Sequence, residues 1–191
     1  MTKPKPPTKA PAPARIEPVF DAQSLGASVA ELGQRVGAEL GELDPVVIAV
    51  LGGSVIFFAD LLRAIRRPVR FEMIHVDYSD SAPGARPGQT ARVLEIHYPI
   101  PVEIAGQTVV LVKDVVESGI IESYLDQQLR ERGAREVRFV ALIDMPAERK
   151  ISFEVDYHAF QTSRQGVLVG YGLKHDGRYG NLPFLGRLVE A

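Results

Sequence analysis

An open, mostly parallel α/β sheet flanked by helices is the fold class that this 191-residue sequence predicts. Three observations carry that expectation. Val109-Val-Leu-Val112 is a short, wholly apolar run rich in β-branched residues, the pattern of a strand buried on both faces. It opens into a short acidic loop, Lys113-Asp114-Val115-Val116-Glu117-Ser118-Gly119, and then at once into a helical pattern. Elsewhere strand-like and helix-like stretches alternate, as they do when crossover helices cover a parallel sheet.

In chain order, residues 1–15 are rich in Pro, basic and nearly devoid of large apolar groups, which predicts a disordered or extended tail ahead of a single domain over 16–191. Leu25, Val29, Leu32, Val36 and Leu40 fall on one face of a helix over 21–40, with Asp21 as its N-cap. Val46 to Leu51 is the first buried strand, Gly52-Gly53-Ser54 the turn, and Ile56 to Ile65 a helix with Phe57, Phe58, Leu61, Leu62 and Ile65 inward. A second strand spans Phe71 to Val76. The polar stretch from Asp77 to Gly88, with Pro83, Gly84, Pro87 and Gly88, has the composition of a functional lid. Ala91 to Tyr98 alternates as a strand. Ile120 to Arg132 is the helix behind the central strand, stopped by Gly133. Val137 to Ile143, Tyr157 to Phe160 and Val167 to Tyr171 complete the strands.

Bulk properties narrow the function classes. A hydrophobic fraction of 46% and a charged fraction of 24% are those of a soluble globular protein. With no cysteine there is neither a disulfide framework nor a thiolate metal site, which fits a cytoplasmic protein. A net charge of −2 leaves no broad footprint for nucleic acid. No apolar run approaches a membrane span, and the N-terminal residues lack a signal-peptide core. His75, His97, His158 and His175 show no metal-ligand spacing. Gly52-Gly53 lacks the rest of a dinucleotide fingerprint.

The strand-to-helix junction at Asp114–Ile121 is the place where open α/β sheets hold ligands. Backbone N–H groups near Ser118 and Gly119, with a helix dipole behind them, suit phosphate. Asp114 and Glu117 suit sugar hydroxyls or a Mg²⁺-bound sugar. The same residues also describe a plain turn with solvated acids.

The segment Val109–Gly119 resembles the phosphoribosyl-diphosphate-binding motif of type I phosphoribosyltransferases: a hydrophobic strand, two acids, two apolar residues, an acid, Ser or Thr, then Gly. The likeness extends on both sides. Val50-Leu-Gly-Gly-Ser-Val-Ile-Phe-Phe-Ala-Asp-Leu-Leu62 resembles the diphosphate loop of the hypoxanthine-guanine branch, and Leu142-Ile-Asp-Met-Pro146 its purine-edge strand. Val169-Gly-Tyr-Gly-Leu173 and Tyr179-Gly-Asn-Leu-Pro183 resemble its small C-terminal hood. The resemblance is colinear from about residue 18 to residue 189.

What the resemblance implies is a site for phosphoribosyl diphosphate or a nucleoside monophosphate. Asp114 and Glu117 would be the acids that serve the ribose and the base. Ser118, Gly119, Ile120 and Ile121 would form the phosphate cradle, Gly52 and Gly53 the diphosphate loop, and Tyr78 the lid aromatic. Met145 and Val167 would line the base pocket. Several positions depart from the family. Ile121 replaces a Thr, Glu122 an apolar residue whose exchange would set a carboxylate near phosphate, Met145 the Lys that donates to the purine 6-oxygen, and Val167 the stacking aromatic. Lys113 and Lys174 replace carboxylates, Gly52 a Lys, and Gly180 an Arg. Mg²⁺, which the family implies, would be weakened by Lys113 and Lys174, unless Lys174, His175 and Arg178 stand in for it; no metal ligand set is assigned. Two readings follow. One is a purine phosphoribosyltransferase of the hypoxanthine-guanine type or a relative with altered base choice, as a homo-oligomer (dimer or tetramer). The other is a catalytically silent paralogue that binds nucleotide or phosphate, or pairs with an active homologue.

Overall fold

A computed structural model describes residues 14–79, 93–97, 103–163 and 166–189. Residues 1–13 of the expected tail and 80–88 of the expected lid lie outside that set. Arg15, assigned above to the tail, opens a strand. The elements run β1 (Arg15–Phe20), α1 (Ala22–Glu39), β2 (Val46–Val50), α2 (Val55–Ala64), β3 (Arg70–Ser79), β4 (Val93–His97), β5 (Thr108–Val116), α3 (Ile120–Glu131), β6 (Glu136–Asp144), β7 (Tyr157–Gln161), β8 (Val167–Val169) and β9 (Leu185–Val189). A 3₁₀ turn over Pro146–Glu148 follows β6.

The main sheet has the order β4-β3-β2-β5-β6-β7. β2, β3, β5, β6 and β7 are parallel, and β4 is antiparallel on the edge beside β3. The apolar run of β5 alternates between two cores. Val110 and Val112 join Val47 and Ala49 under α1 and α2, whereas Val109 and Leu111 join Val46 and Ile48 against α3 through Leu125 and Leu129. A strand covered on both faces has no polar alternation, which is why its sequence is a continuous hydrophobic run. α1 begins where Asp21 accepts the Ser24 N–H at 2.8 Å, and it approaches α2 closely because Gly33 has no Cβ: one there would lie 2.4 Å from the Ala64 Cβ.

The second sheet is small and antiparallel, of order β1-β9-β8, with Ile16 opposite Leu188 and Val169 opposite Gly186. It is the expected hood, but it includes two strands the sequence reading lacks. β1 and β9 are short and interrupted by Pro18 and Gly186, so their pairing is long-range and leaves no local periodicity.

Strand order fixes where a ligand can sit. From β2 the chain crosses through α2 to β3 on one side; from β5 it crosses through α3 to β6 on the other. The connections diverge between β2 and β5, opening a crevice at the carboxyl ends of those strands. The hood closes over it. Tyr171 donates its hydroxyl hydrogen to Asp60 of α2 at 2.5 Å, and burial together with that carboxylate pushes its phenol pKa upward. Gly172 lies at φ +100°, and a Cβ there would meet the Gly53 carbonyl oxygen at 2.1 Å. Gly172→Ala therefore forces both a strained backbone and a separation of hood from loop. The expected loss is about 2 kcal/mol, seen as a Tm lower by roughly 4 °C or more, together with faster proteolysis at the hood. An unchanged Tm would show that the hood is not seated on Gly53.

Candidate active site

The crevice holds a cavity of about 440 Å³ lined by Gly52, Gly53, Asp114, Val115, Glu117, Met145, Gly166, Val167, Leu168, Leu173 and Lys174. Seven of these are residues that the sequence singled out, now drawn from β2, β5, β6 and the hood to one wall-to-wall space. A larger hollow of about 700 Å³ lies far from them, between α1 and the end of α2, lined by residues such as Gly37, Gly41, Arg66 and Arg67. Glu42 shares its lining with the two arginines, but it holds none of the residues that the sequence singled out and lies away from the carboxyl ends of the parallel strands, so size alone does not identify the site.

Asp114 is held in one orientation. Its Oδ1 accepts from the Val115 N–H at 2.8 Å and from Lys113 Nζ at 3.2 Å. Its Oδ2 faces the Gly52-Gly53 turn, for a Cβ on Gly53 would lie 2.3 Å from it. Gly53 is thus required by the close approach of that carboxylate and of the Leu173 side chain, whose Cδ2 would lie 2.8 Å from the same Cβ.

Glu117 lines the cavity, and the backbone after it is set by Arg149. The Arg149 guanidinium donates to the carbonyls of Val116 at 2.9 Å, Glu117 at 2.6 Å and Phe153 at 3.1 Å, and it pairs with the carboxylate of Asp144. The Lys150 N–H donates to the Ser118 carbonyl at 3.0 Å. Because a trans peptide sets its N–H opposite its carbonyl, the N–H groups of Ser118 and Gly119 point away from Arg149 and Lys150. Gly119 occupies the N-cap of α3 at φ +79°, and a Cβ there would meet the Phe153 Cβ at 2.8 Å. The Ser118 hydroxyl accepts from the Ile120 N–H at 3.3 Å. Exposed Ile120 and half-buried Ile121 begin α3 without a hydroxyl, so the donors available at this turn are the backbone N–H groups and Ser118.

The wall formed by the end of β6 and by β8 is apolar. Met145 is buried at the end of β6, with its N–H donated to the Val116 carbonyl at 2.9 Å. Val167, 43% exposed, faces it across the cavity together with Leu168. Lys174 stands on the shared wall of this cavity and a second one of about 330 Å³, which contains Gly180.

Three expectations require correction. The acidic stretch after Val112 is not a loop: Lys113 to Val116 continue β5 in register with Ala141, Ile143 and Asp144 of β6. Tyr78 belongs to β3, opposite Leu94, rather than to a lid. Lys113 does not line the cavity, and Glu122 does not confront it. Glu122 is 3% exposed, and its Oε1 lies 3.9 Å from Lys113 Nζ. Two departures from the family pattern are thus one internal ion pair. Sequence spacing hid this because a strand residue and a first-turn helix residue meet only after the chain folds back. Arg149 also went unnoticed, since nothing local distinguishes a buried arginine from a solvated one. The Leu168 and Leu173 contributions were missed because alternating strand residues divide between core and cavity only once the hood is placed.

Burial holds the Glu122 pKa above the ordinary carboxylate range, against the pull of Lys113. From the usual glutamate value of about 4.3 upward, the unfolded chain loses this proton first, so the contribution of Glu122 to stability falls as pH rises through the folded-state value. Glu122→Gln should flatten that part of the stability–pH curve. Lys113→Glu would set two carboxylates together beneath the site and should cost about 3 kcal/mol, whereas the exchange Lys113→Glu with Glu122→Lys should recover much of the loss in urea unfolding. Full stability of Lys113→Glu alone would contradict the pairing.

The chain matches the family model for the phosphoribosyl transferase domain over residues 16–176. It is 35% identical over 176 residues to a hypoxanthine-guanine phosphoribosyltransferase of Mycobacterium bovis, a match covering 89% of this chain and 84% of that protein. It is 29% identical to the hypoxanthine-guanine phosphoribosyltransferase of Bacillus subtilis, over 88% and 91% of the two chains. Among solved structures, a hypoxanthine-guanine phosphoribosyltransferase from Bacillus anthracis superposes with a TM-score of 0.79 at 29% identity, covering 93% of this chain and 99% of the other.

Proposed function

Because the chain belongs to the phosphoribosyl transferase family, we propose that it transfers ribose 5-phosphate from phosphoribosyl diphosphate to a purine, with a base choice altered from that of hypoxanthine-guanine enzymes. The observation that carries this reading is the convergence of Gly53, Asp114, Glu117, Met145, Val167 and Lys174 on one cavity at the divergence of β2 and β5. The names of the relatives at 35% and 29% identity support it.

In this reading the outward N–H groups of Ser118 and Gly119, with the start of α3, hold the 5-phosphate. Asp114 offers the oxygen facing Gly53 to a ribose hydroxyl. Glu117 takes up or returns the proton at the base nitrogen as the glycosidic bond forms. Met145, Val167 and Leu168 enclose the base in an apolar slot. The family implies Mg²⁺, but the donor set does not fit it: Lys174 brings an ammonium to the wall where an oxygen ligand would be needed, and among the described residues no group of three His, Asp or Glu side chains could hold a metal ion.

A homo-oligomer is supported by Phe71 and Met73, large apolar side chains exposed side by side on β3. No helix among the described residues is long and apolar enough to cross a membrane, and the cysteine-free composition fits the cytoplasm.

Met145 cannot donate to a purine 6-oxygen, and a pocket without that donor discriminates weakly among bases. Assayed with phosphoribosyl diphosphate and a panel of hypoxanthine, guanine and adenine, the wild type should convert the two oxopurines slowly, and Met145→Lys should raise their turnover by about a hundredfold. Fast oxopurine turnover by the wild type, unaltered in Met145→Lys, would show that other groups read the base. No nucleotide from any base in either protein would favour the silent paralogue.

A further inference from the structure

The second cavity, of about 330 Å³, is contiguous with the first through Gly52 and Lys174. Its wall carries Lys174, Arg178, Tyr179 and Asn181, together with backbone of Gly172, Gly177 and Gly180, and no carboxylate lines it. Lys174 and Arg178 are both exposed and are brought to the same wall by a tight turn. His175 and Arg178 exchange backbone hydrogen bonds of 3.1 and 2.9 Å around Asp176 and Gly177, which lie at φ +48° and +72°. Two successive positive φ values make this a type I′ turn, for which Asp-Gly is a favoured pair. The acid within it, Asp176, points to His175, with 3.7 Å between Oδ2 and Nε2, and is absent from the wall. The result is a cationic recess beside the crevice.

A hard divalent cation asks for several oxygen ligands, and a neighbouring ammonium opposes it. An anion asks for the opposite. We propose that this recess binds a diphosphate group directly on Lys174 and Arg178, without a divalent cation. Lys174 supplies a compact charge at the passage between the cavities and Arg178 a planar fork, the two kinds of donor that phosphate oxygens accept best. The proposal rests on the reading of the adjoining crevice as a phosphoribosyl site, since that reading places a diphosphate leaving group beside Gly52 and Lys174.

Titration calorimetry with inorganic diphosphate, in EDTA and then in excess Mg²⁺, tests it. The expected result is binding in EDTA that falls with salt, and that Mg²⁺ weakens because it neutralises part of the anion's charge. Lys174→Ala and Arg178→Ala should each reduce affinity by about tenfold, with Tm unchanged because both side chains are exposed. Lys174→Asp should reverse the dependence, so that binding requires Mg²⁺. Diphosphate binding by the wild type only with Mg²⁺, no binding under either condition, or indifference to Lys174→Ala would each overturn the proposal. A parallel titration with inosine 5′-monophosphate keeps the two ideas apart. Nucleotide binding with failed diphosphate binding leaves the phosphoribosyl reading standing, whereas diphosphate binding in EDTA without nucleotide binding leaves only the anion recess.

Discussion

Arg149 sits where the ends of β5 and β6 meet the turn into α3, and its donors are spent on backbone carbonyls there rather than on ligand. Both it and Asp144 are nearly buried, with side chains 12% and 8% exposed. A buried ion pair of this kind contributes little over two apolar residues, but losing one partner costs about 3–5 kcal/mol because the other is left charged and unsatisfied. The carbonyls of Glu117 and Phe153 would lose the donor that Arg149 gives them, and those of Val116 and Met145 would keep only the N–H groups of Met145 and Glu148. What Arg149 secures is the direction of the peptide planes after Val116 and Glu117, and so that of the Ser118 N–H, while the Lys150 N–H holds the Ser118 carbonyl and with it sets the Gly119 N–H. The donors of this turn are backbone groups that the Arg149 side chain and the Lys150 N–H orient from behind.

A second constraint works from the front. Gly53 is squeezed between Asp114 and the backbone of Gly172, so the loop after β2, the acid on β5 and the hood are mutually fixed by contacts that leave no room for a Cβ. Against this rigid frame the two lysines have different fates. Lys113 is drawn down to Asp114 and the buried Glu122, where its charge is answered internally and serves to hold Asp114. Lys174 stays on the cavity wall with its charge directed at whatever enters. Substitutions that look equivalent in the sequence, ammonium for carboxylate, thus become a structural ion pair in one case and a ligand-facing cation in the other.

Much of the fold was legible in the sequence because its signals are local. The continuous apolar run of β5, the 3.6-residue spacing of α1 and the Gly52-Gly53 turn each declare an element within a few residues. The hood was legible only in part, since β1 and β9 come from opposite ends of the described chain and neither is periodic. At the site, residue types singled out Asp114, Glu117, Met145, Val167 and Lys174, which line one cavity. They misplaced Lys113 and Glu122, because charge pairing between a strand and the helix after it depends on where side chains turn. Arg149 carried no signal at all: its role is to satisfy carbonyls, and a carbonyl's need for a donor appears only in three dimensions.

In the proposed function a purine nucleotide lies in the β2–β5 crevice with its phosphate on the start of α3. Backbone amide NMR during titration with inosine 5′-monophosphate tests it most directly. Saturable shifts are expected at Val115 and Ser118 to Ile121, with further shifts at Gly53 and Leu168, and none around Gly37, Gly41 and Arg66 at the larger hollow. Saturation with no change at Ser118 to Ile121, or with changes confined to that hollow, would contradict it.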